Sequence, residues 1–508
     1  MFQLHSLRMM DPYLINAVKS LRKGDLEHAV WCAEHGEKIL NRWIDFHKKK
    51  KSKYQWYDMS VGLRALRIVL LHYIFYFSKG ADYGEQYAQV LEEHLDNLSD
   101  ESKINKGNHG LFQISALKCV AEVLMQHGVE ADRESYKGAS SLASRLMVDH
   151  VKSQFTDNGL HVENSPDYHF FVLSKVRSFL ACPWWGELFE NQEIRGLLDK
   201  AEVLKYWLVD PYGRCLPVGD SSESQRVKIF SDVMWNVDKI AYGGYASFCI
   251  DGYYQVRGVD TKKDSFLFFM GGHHSDIHRH DDLQSLIWQE GGDYILRDSG
   301  KYGYKSGPER QYFKSSSAHN LITLLDEKGV ELRRYKPGNS VVSHGVEDSG
   351  WFWMKSEVSY NLSSSCASLL REVWFLPRVG LIVLDVVDLE KKSDVKKVCI
   401  NWNINDSSKE SYGVDLSSIS QLSFEDVTMT FNSSVPVESS GIVFGKDSGW
   451  SLYSPSYLAC IDSSRFYAVI EPVSESFKII SGFSRSKLSE SDSAKFDKMF
   501  ENLKKYLG

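Results

Sequence analysis

Apolar residues recur at helical spacing in the first half of the chain and alternate in short runs in the second. Before residue 243, the sets Ile15/Val18/Leu21, Val61 to Phe77, Tyr87/Val90/Leu91/Leu95 and Leu111/Ile114/Leu117/Val120/Leu124 each gather on one face of a helix. Gly and Asp-Asn-Gly breaks, as at Asp157-Asn158-Gly159, end these segments. Roughly eight to ten helices are predicted, a number that suits antiparallel hairpins curled into an incomplete toroid. After Gly243-Gly244 come Phe266-Leu267-Phe268-Phe269, Ser285 to Trp288, Asp293 to Leu296, His319 to Leu325 and Leu381 to Leu384, separated by Gly, Ser, Asp and Lys clusters. Strands this short and numerous predict a sandwich. The fold class expected is therefore α+β and multidomain. An N-terminal incomplete (α/α) toroid over 1–243 leads into a C-terminal antiparallel β-sandwich over 244–508, closed by an amphipathic helix near Ser491 to Tyr506.

A chain of 508 residues is too long for one core, which agrees with two domains. The net charge of −7, with no basic block, excludes a general nucleic-acid binder, and an anionic ligand would need a local basic cleft. Aromatic residues make up 13 % of the chain; some could stack on sugars, but most are expected in the core. The eight cysteines are scattered with no Cys-x-x-Cys pair, so reduced and mostly buried thiols are expected. The N-terminus lacks the basic and apolar segments of a signal peptide, and the apolar run Ile68 to Phe77 is short for a membrane span. A soluble protein without a membrane span is expected, cytoplasmic unless an export signal has been removed.

Three groups carry candidate chemistry. The first is Gly271-Gly272-His273-His274-Ser275-Asp276-Ile277-His278-Arg279-His280-Asp281-Asp282, with four of the 17 histidines inside eight residues. On a strand, His278, His280 and Asp282 would share one face, a donor set that suits a zinc-like ion; downstream, Asp298 and His319 add a carboxylate and an imidazole. The plain alternative is a turn of solvated histidines. The second is Gly107-Asn108-His109-Gly110 ahead of a helix, where amide and imidazole could bind an anion or simply break the chain. The third is Glu163-Asn164-Ser165-Pro166-Asp167-Tyr168-His169, in which Ser165 and Pro166 start a helix and Tyr168 falls in its first turn.

In this order, these groups resemble the heparinase II/III-like polysaccharide lyases and the related alginate lyases. The similar elements are Asn-His-Gly, Glu-x-Ser-x-x-Tyr-His, His-x-His-x-Asp, Asp-Ser-Gly-x-Tyr and Ala-His-Asn, followed by the strand pair Arg371-Glu372-Val373 to Asp385. The resemblance implies β-elimination at a uronic acid, leaving unsaturated uronide ends. By position, Asn108 and His109 would hold the carboxylate. Tyr168 would be the acid and, with its pKa lowered by cations, also a base; His278 would be base or carboxylate partner. His280, Asp298 and His319 match the family's metal ligands, with structural zinc the implied ion and Asp282 orienting an imidazole behind them. Tyr304, Arg310, Tyr312 and Arg64 are the substrate-binding candidates, Arg64 and its neighbour Arg67 being equally readable as paired or solvated. His273 and His274 are left without a role. The implied partner is an anionic polysaccharide or oligosaccharide and the implied source bacterial; the missing signal suits an enzyme encoded beside exopolysaccharide synthesis. The oligomeric state is left open, a homodimer among the options. Two alternatives stand: a glycan-binding or exopolysaccharide assembly protein that has lost turnover, and a hydrolase whose metal activates water.

Overall fold

The computed structural model describes every residue except 1, 51, 53, 81–84, 128–131, 229–236, 260–263, 333–337, 363–364, 391–392, 405–408, 417–420, 447–448 and 508, and except the side chains of 85 and 86. Two compact units emerge. One comprises Met1–Asp157 and Val172–Leu198, the other Asn158–Phe171 and Asp199–Gly508. The partition differs from a single cut at 243, because Asn158–Phe171 and the chain after Leu198 pack with the sheets. Leu160, Leu204, Trp207, Leu216 and Val218 share a core with strand residues Phe248, Phe266, Phe268 and Ile287.

The first unit is helical. Its main helices are Asp11–Arg22, Leu26–Lys49, Met59–Lys79, Glu85–Leu98, Asn108–His127 and Arg133–Gln154, and chain neighbours pack on one another. Met59–Lys79 is long and apolar enough to cross a membrane by length and composition, more than the run Ile68 to Phe77 suggested. Here it is a core helix, with Val61, Ala65, Ile68, Leu71 and Ile74 buried. Gly62 lets it approach its neighbour closely, since a Cβ there would lie 2.7 Å from the carbonyl oxygen of Phe112.

In the second unit, two antiparallel sheets enclose a common core. The larger includes Tyr245–Ile250, Tyr253–Gly258, Ser265–Met270, Leu286–Glu290, Asp293–Leu296, Lys397–Ile404 and Ser464–Ile470. The smaller is built on Phe352–Asn361, Cys366–Leu376, Gly380–Leu389, Ser476–Arg485 and Val427–Ser433. Leu267, Leu286, Trp288 and Ile400 of the first meet Phe352, Leu369, Val383 and Ile479 of the second, which is the sandwich the alternation predicts. The closing helix runs Glu490–Lys504, capped by Ser489, whose Oγ accepts from Asp492 N at 3.1 Å, and it lays Phe496 and Phe500 against Ile382 and Ile480. All eight cysteines are free; three are buried and two exposed, fewer buried than expected.

The strand pair after the histidine cluster carries a buried ion pair. Arg371 and Asp385 face each other across the ladder, with Arg371 Nε donating to Asp385 Oδ1 at 2.7 Å. The same guanidinium donates to the carbonyls of Gln284 and Asn320, so it ties the loop after the cluster and the chain after His319 to the second sheet.

Candidate active site

The histidine cluster is not a strand. Only Gly272–His273 pairs, with Gly338–Asn339; residues 274–285 form a loop in which His278 has φ +55°. Alternation therefore cannot set the directions of His278, His280 and Asp282. Hydrogen bonds set them instead. Asn164, also at positive φ (+55°), accepts from His274 N at 2.7 Å through Oδ1 and donates to the carbonyls of Ser275 (2.7 Å) and Ile277 (3.1 Å). Gly219 fills the remaining crossing: its φ is +52°, and a Cβ would meet the carbonyl oxygens of Asn164 at 2.4 Å and His278 at 2.8 Å.

Asp220 follows that glycine and organises the site. Its carboxylate accepts from His278 Nδ1 at 2.9 Å, from His280 Nε2 at 3.1 Å, and from both terminal nitrogens of Arg310, Nη2 at 2.9 Å. Burial alone would raise its pKa, but the bonds to His278, His280 and Arg310 hold it far below the usual carboxylate range. Sequence reasoning passed over Asp220, since Gly-Asp-Ser-Ser reads as an ordinary turn. The one available signal was a Gly-Asp step in a buried-looking run after Leu216-Pro217-Val218.

Tyr168 lies in the first turn of the helix Pro166–Leu180, which Ser165 starts: its Oγ accepts from Tyr168 N at 3.4 Å and is anchored to Ser221 Oγ at 2.7 Å. The Tyr168 ring stacks on His278, with centroids 3.6 Å apart and planes 16° from parallel. Its hydroxyl shares a hydrogen bond of 2.8 Å with that of Tyr304. Lys301 Nζ lies 5.4 Å and the Arg310 guanidinium 5.6 Å from the Tyr304 ring centroid. On its other nitrogen, His278 meets Glu163, Nε2 to Oε2 3.5 Å. Burial pushes the Tyr168 pKa up; the Tyr304 bond opposes it in part, and the carboxylates of Asp220, Glu163 and Asp167 add to the rise. This reverses the expected lowering by cations: at neutral pH the resting phenol keeps its proton.

The expected metal ligands are neighbours beneath this site. His319 Nδ1 donates to Asp298 Oδ2 at 2.8 Å, and the rings of His280 and His319 are 5.5 Å apart. Among the described residues, buried His280 Nδ1 and His319 Nε2 meet no hydrogen-bond partner, which suits a further electrophile at these nitrogens. Among the described residues, however, no three His, Cys, Asp or Glu groups are arranged around a common point. Burial works against a charged His319, but Asp298 prevails and its pKa is pushed up to about 9. Asp282 orients an imidazole, that of His273, whose Nε2 lies 2.7 Å from Asp282 Oδ1; His274 is tied to the Asp251 carbonyl through Nε2 at 3.0 Å.

In the helical unit, Asn108 and His109 open the helix Asn108–His127, three residues earlier than the apolar repeat suggests. His109 Nδ1 lies 2.9 Å from Asp58 Oδ1, and Asn105 Nδ2 donates to the same oxygen at 2.8 Å. Gly110 is obligatory, because a Cβ would stand 1.9 Å from the Asn105 carbonyl oxygen.

Residues 26–184 match the family model "Heparinase II/III N-terminus" and residues 246–466 match "Heparinase II/III-like, C-terminal". The chain belongs to the heparinase II/III-like polysaccharide lyases. Its fold is also that of solved structures. A heparinase III, the BT4657 gene product with methylated lysines, aligns at TM-score 0.67 and 16 % identity, over 96 % of this chain and 78 % of that one. The heparan sulfate lyase from Pedobacter heparinus aligns at TM-score 0.62 and 13 % identity, over 96 % and 77 %. No curated protein matches by sequence.

Two substrate-binding expectations for this heparinase II/III-like chain need correction. Arg64 is fully buried: its guanidinium donates to the carbonyls of His5 and Gln55 and to His94 Nε2, and it lies 4.2 Å from the Trp43 ring centroid. Tyr312 is 7 % exposed, and its hydroxyl accepts from Leu452 N at 3.2 Å. Arg64 has no exposed surface and Tyr312 little. Arg67 is paired with Asp11. Arg310 is engaged by Asp220, whereas Tyr304 is 46 % exposed.

Proposed function

We propose that this lyase cleaves a uronic-acid-containing glycan by β-elimination. The observation that carries the reading is the stack of Tyr168 on His278, with the phenol tied to Tyr304 and the imidazole to Asp220. His278 donates from Nδ1 to ionised Asp220 and takes the C5 proton of the uronate on Nε2, where Glu163 Oε2, 3.5 Å away, stabilises the imidazolium that forms. Tyr168, protonated at rest, delivers its proton to O4 as the C4–O4 bond breaks and C4=C5 forms. Tyr304 donates to the Tyr168 oxygen as that oxygen gains charge. Neutralising the C6 carboxylate is assigned to Asn108 and His109 on the resemblance alone. Heparan sulfate is the substrate class that the solved relatives' names suggest.

A divalent ion, zinc by donor chemistry, belongs to the same proposal. His280, Asp298 and His319 would hold it, and it would supply structural charge neutralisation among buried carboxylates. The test is ultraviolet absorbance of the unsaturated uronide on a panel of uronic-acid polysaccharides, with mass spectrometry of the products. Cleavage is expected from the wild-type protein and none from Tyr168→Phe. Cleavage by Tyr168→Phe at the wild-type rate would remove Tyr168 from this role. Binding to every polymer without cleavage would favour a glycan-binding protein.

A further inference from the structure

The loop that carries Tyr304 is strapped down by a later segment of the same unit. Ser454 forms a short parallel bridge with Gly300: its N donates to the Ser299 carbonyl at 2.9 Å and its Oγ to the Lys301 carbonyl at 2.5 Å. Four residues on, Leu458 N donates to the Tyr302 carbonyl at 2.6 Å. Pro455, with its fixed φ, stiffens the step between these anchors. Leu458 has φ +61°, a left-handed conformation that a residue other than glycine keeps only where its surroundings hold it. Gly303 leaves room for this strap, since a Cβ there would lie 2.9 Å from Leu458 Cδ2 and 3.5 Å from Tyr457 Cε2. Tyr457 is therefore seated at a fixed place beside Tyr304.

What the strap holds there is not core. Tyr457 is 55 % exposed and Leu458 54 %. Single exposed rings are ordinary on protein surfaces, but this one continues a row. Its centroid is 6.2 Å from that of Tyr304, with the planes 42° apart. The Tyr304 hydroxyl bonds that of Tyr168, and the Tyr168 ring stacks on His278. From His278 outward, the order is thus Tyr168, Tyr304, Tyr457, all in one unit. A glycan with its uronate at the first two of these lays a neighbouring sugar beside the last. The C–H face of a pyranose suits an aromatic ring, and a ring already placed by its backbone adds little ordering cost on binding.

We propose that Tyr457 is a substrate-binding residue whose ring stacks on the sugar unit next to the uronate, and that it contributes to the choice of glycan. The identity of the ligand rests on the lyase reading. Heparan sulfate is the first probe and the uronic-acid panel supplies the others, with cleavage followed by ultraviolet absorbance and binding by calorimetry on the full chain. Wild type, Tyr457→Leu and Tyr457→Phe are compared. Tyr457→Leu removes the flat ring at an exposed place, and is expected to raise KM and Kd about fivefold with kcat within about twofold and the unfolding midpoint unchanged. Tyr457→Phe, which keeps the ring, should restore KM and Kd. A fall in kcat with KM held, together with a lower midpoint, would mean that Tyr457 only props Tyr304, and overturns the subsite. Wild-type KM and Kd in Tyr457→Leu overturn it too, and leave the lyase reading standing. Binding without cleavage that Tyr457→Leu weakens sinks the lyase reading and supports the subsite. A wild type that neither binds nor cleaves any polymer of the panel removes both.

Discussion

Replacing Asp220 with Asn changes one atom and strikes four hydrogen bonds. The carboxylate is 1 % exposed and serves His278, His280 and two nitrogens of Arg310, all as donors. An amide has one oxygen, so its NH2 group must face at least one of these donors. If it faces His278 Nδ1, the ring is driven to the tautomer with its proton on Nε2, and the base is lost. A positioned base contributes about 100- to 10,000-fold, so kcat is expected to fall by about 100-fold or more. KM should change little, because the carboxylate itself holds no substrate. Stability also falls, since Arg310 keeps its charge at a largely buried position with half its partner gone; breaking such a pair costs about 3–5 kcal/mol at full burial and less here, where Arg310 is 13 % exposed. The assay is steady-state formation of unsaturated uronide, with nitrogen NMR of His278 to report the tautomer and urea unfolding to report stability. Arg310→Met in the Asp220→Asn background should recover stability without recovering kcat. A folded Asp220→Asn enzyme with kcat within about threefold of wild type would refute the orientation argument.

Three further outcomes are expected. Burial pushes the Glu290 carboxyl up to about 7 from 4.5, against smaller lowering bonds from Ser265 and Trp288. The folded state therefore holds a proton that the unfolded chain releases, and stability present below about pH 4.5 is lost as pH rises to about 7, on the order of 3 kcal/mol. Glu290→Gln should flatten that loss, so its unfolding midpoint should gain on wild type between pH 5 and about 8; parallel pH curves would show the carboxyl to be ordinary. Gly219→Ala forces a Cβ to 2.4 Å from the Asn164 carbonyl oxygen at a positive φ, and should abolish turnover by displacing the His278 loop; full activity would show that the crossing relaxes. Elemental analysis of the purified protein should find about one equivalent of zinc that His319→Ala loses, together with a lower unfolding temperature on chelation; a metal-free wild type with unchanged melting would remove the ion from the proposal.

Helical and strand periodicity made both units legible, because burying one face of an element imposes its period on the sequence. The division at residue 243 was less so: texture changes where strands begin, whereas Asn158–Phe171 and the chain after Leu198 join the sheets through packing that leaves no periodic mark. The site was legible as motifs, because Tyr168 and His278 are reactive types in recognisable strings. Its geometry was not. The alternation argument for His278, His280 and Asp282 failed because the segment is a loop, and loop direction is set by long-range bonds from Asn164 and Asp220.

The sequence by itself therefore determined the element types, the helical-then-sheet order, the family and the inventory of reactive groups, since these depend on local pattern. Only the tertiary structure decided which groups meet. It brought Asp220 from 58 positions away to His278, stacked Tyr168 on that imidazole, and buried Arg64 and Tyr312. The physical reason is that burial and hydrogen bonding, which fix protonation and direction, depend on distances in space that residue spacing does not encode.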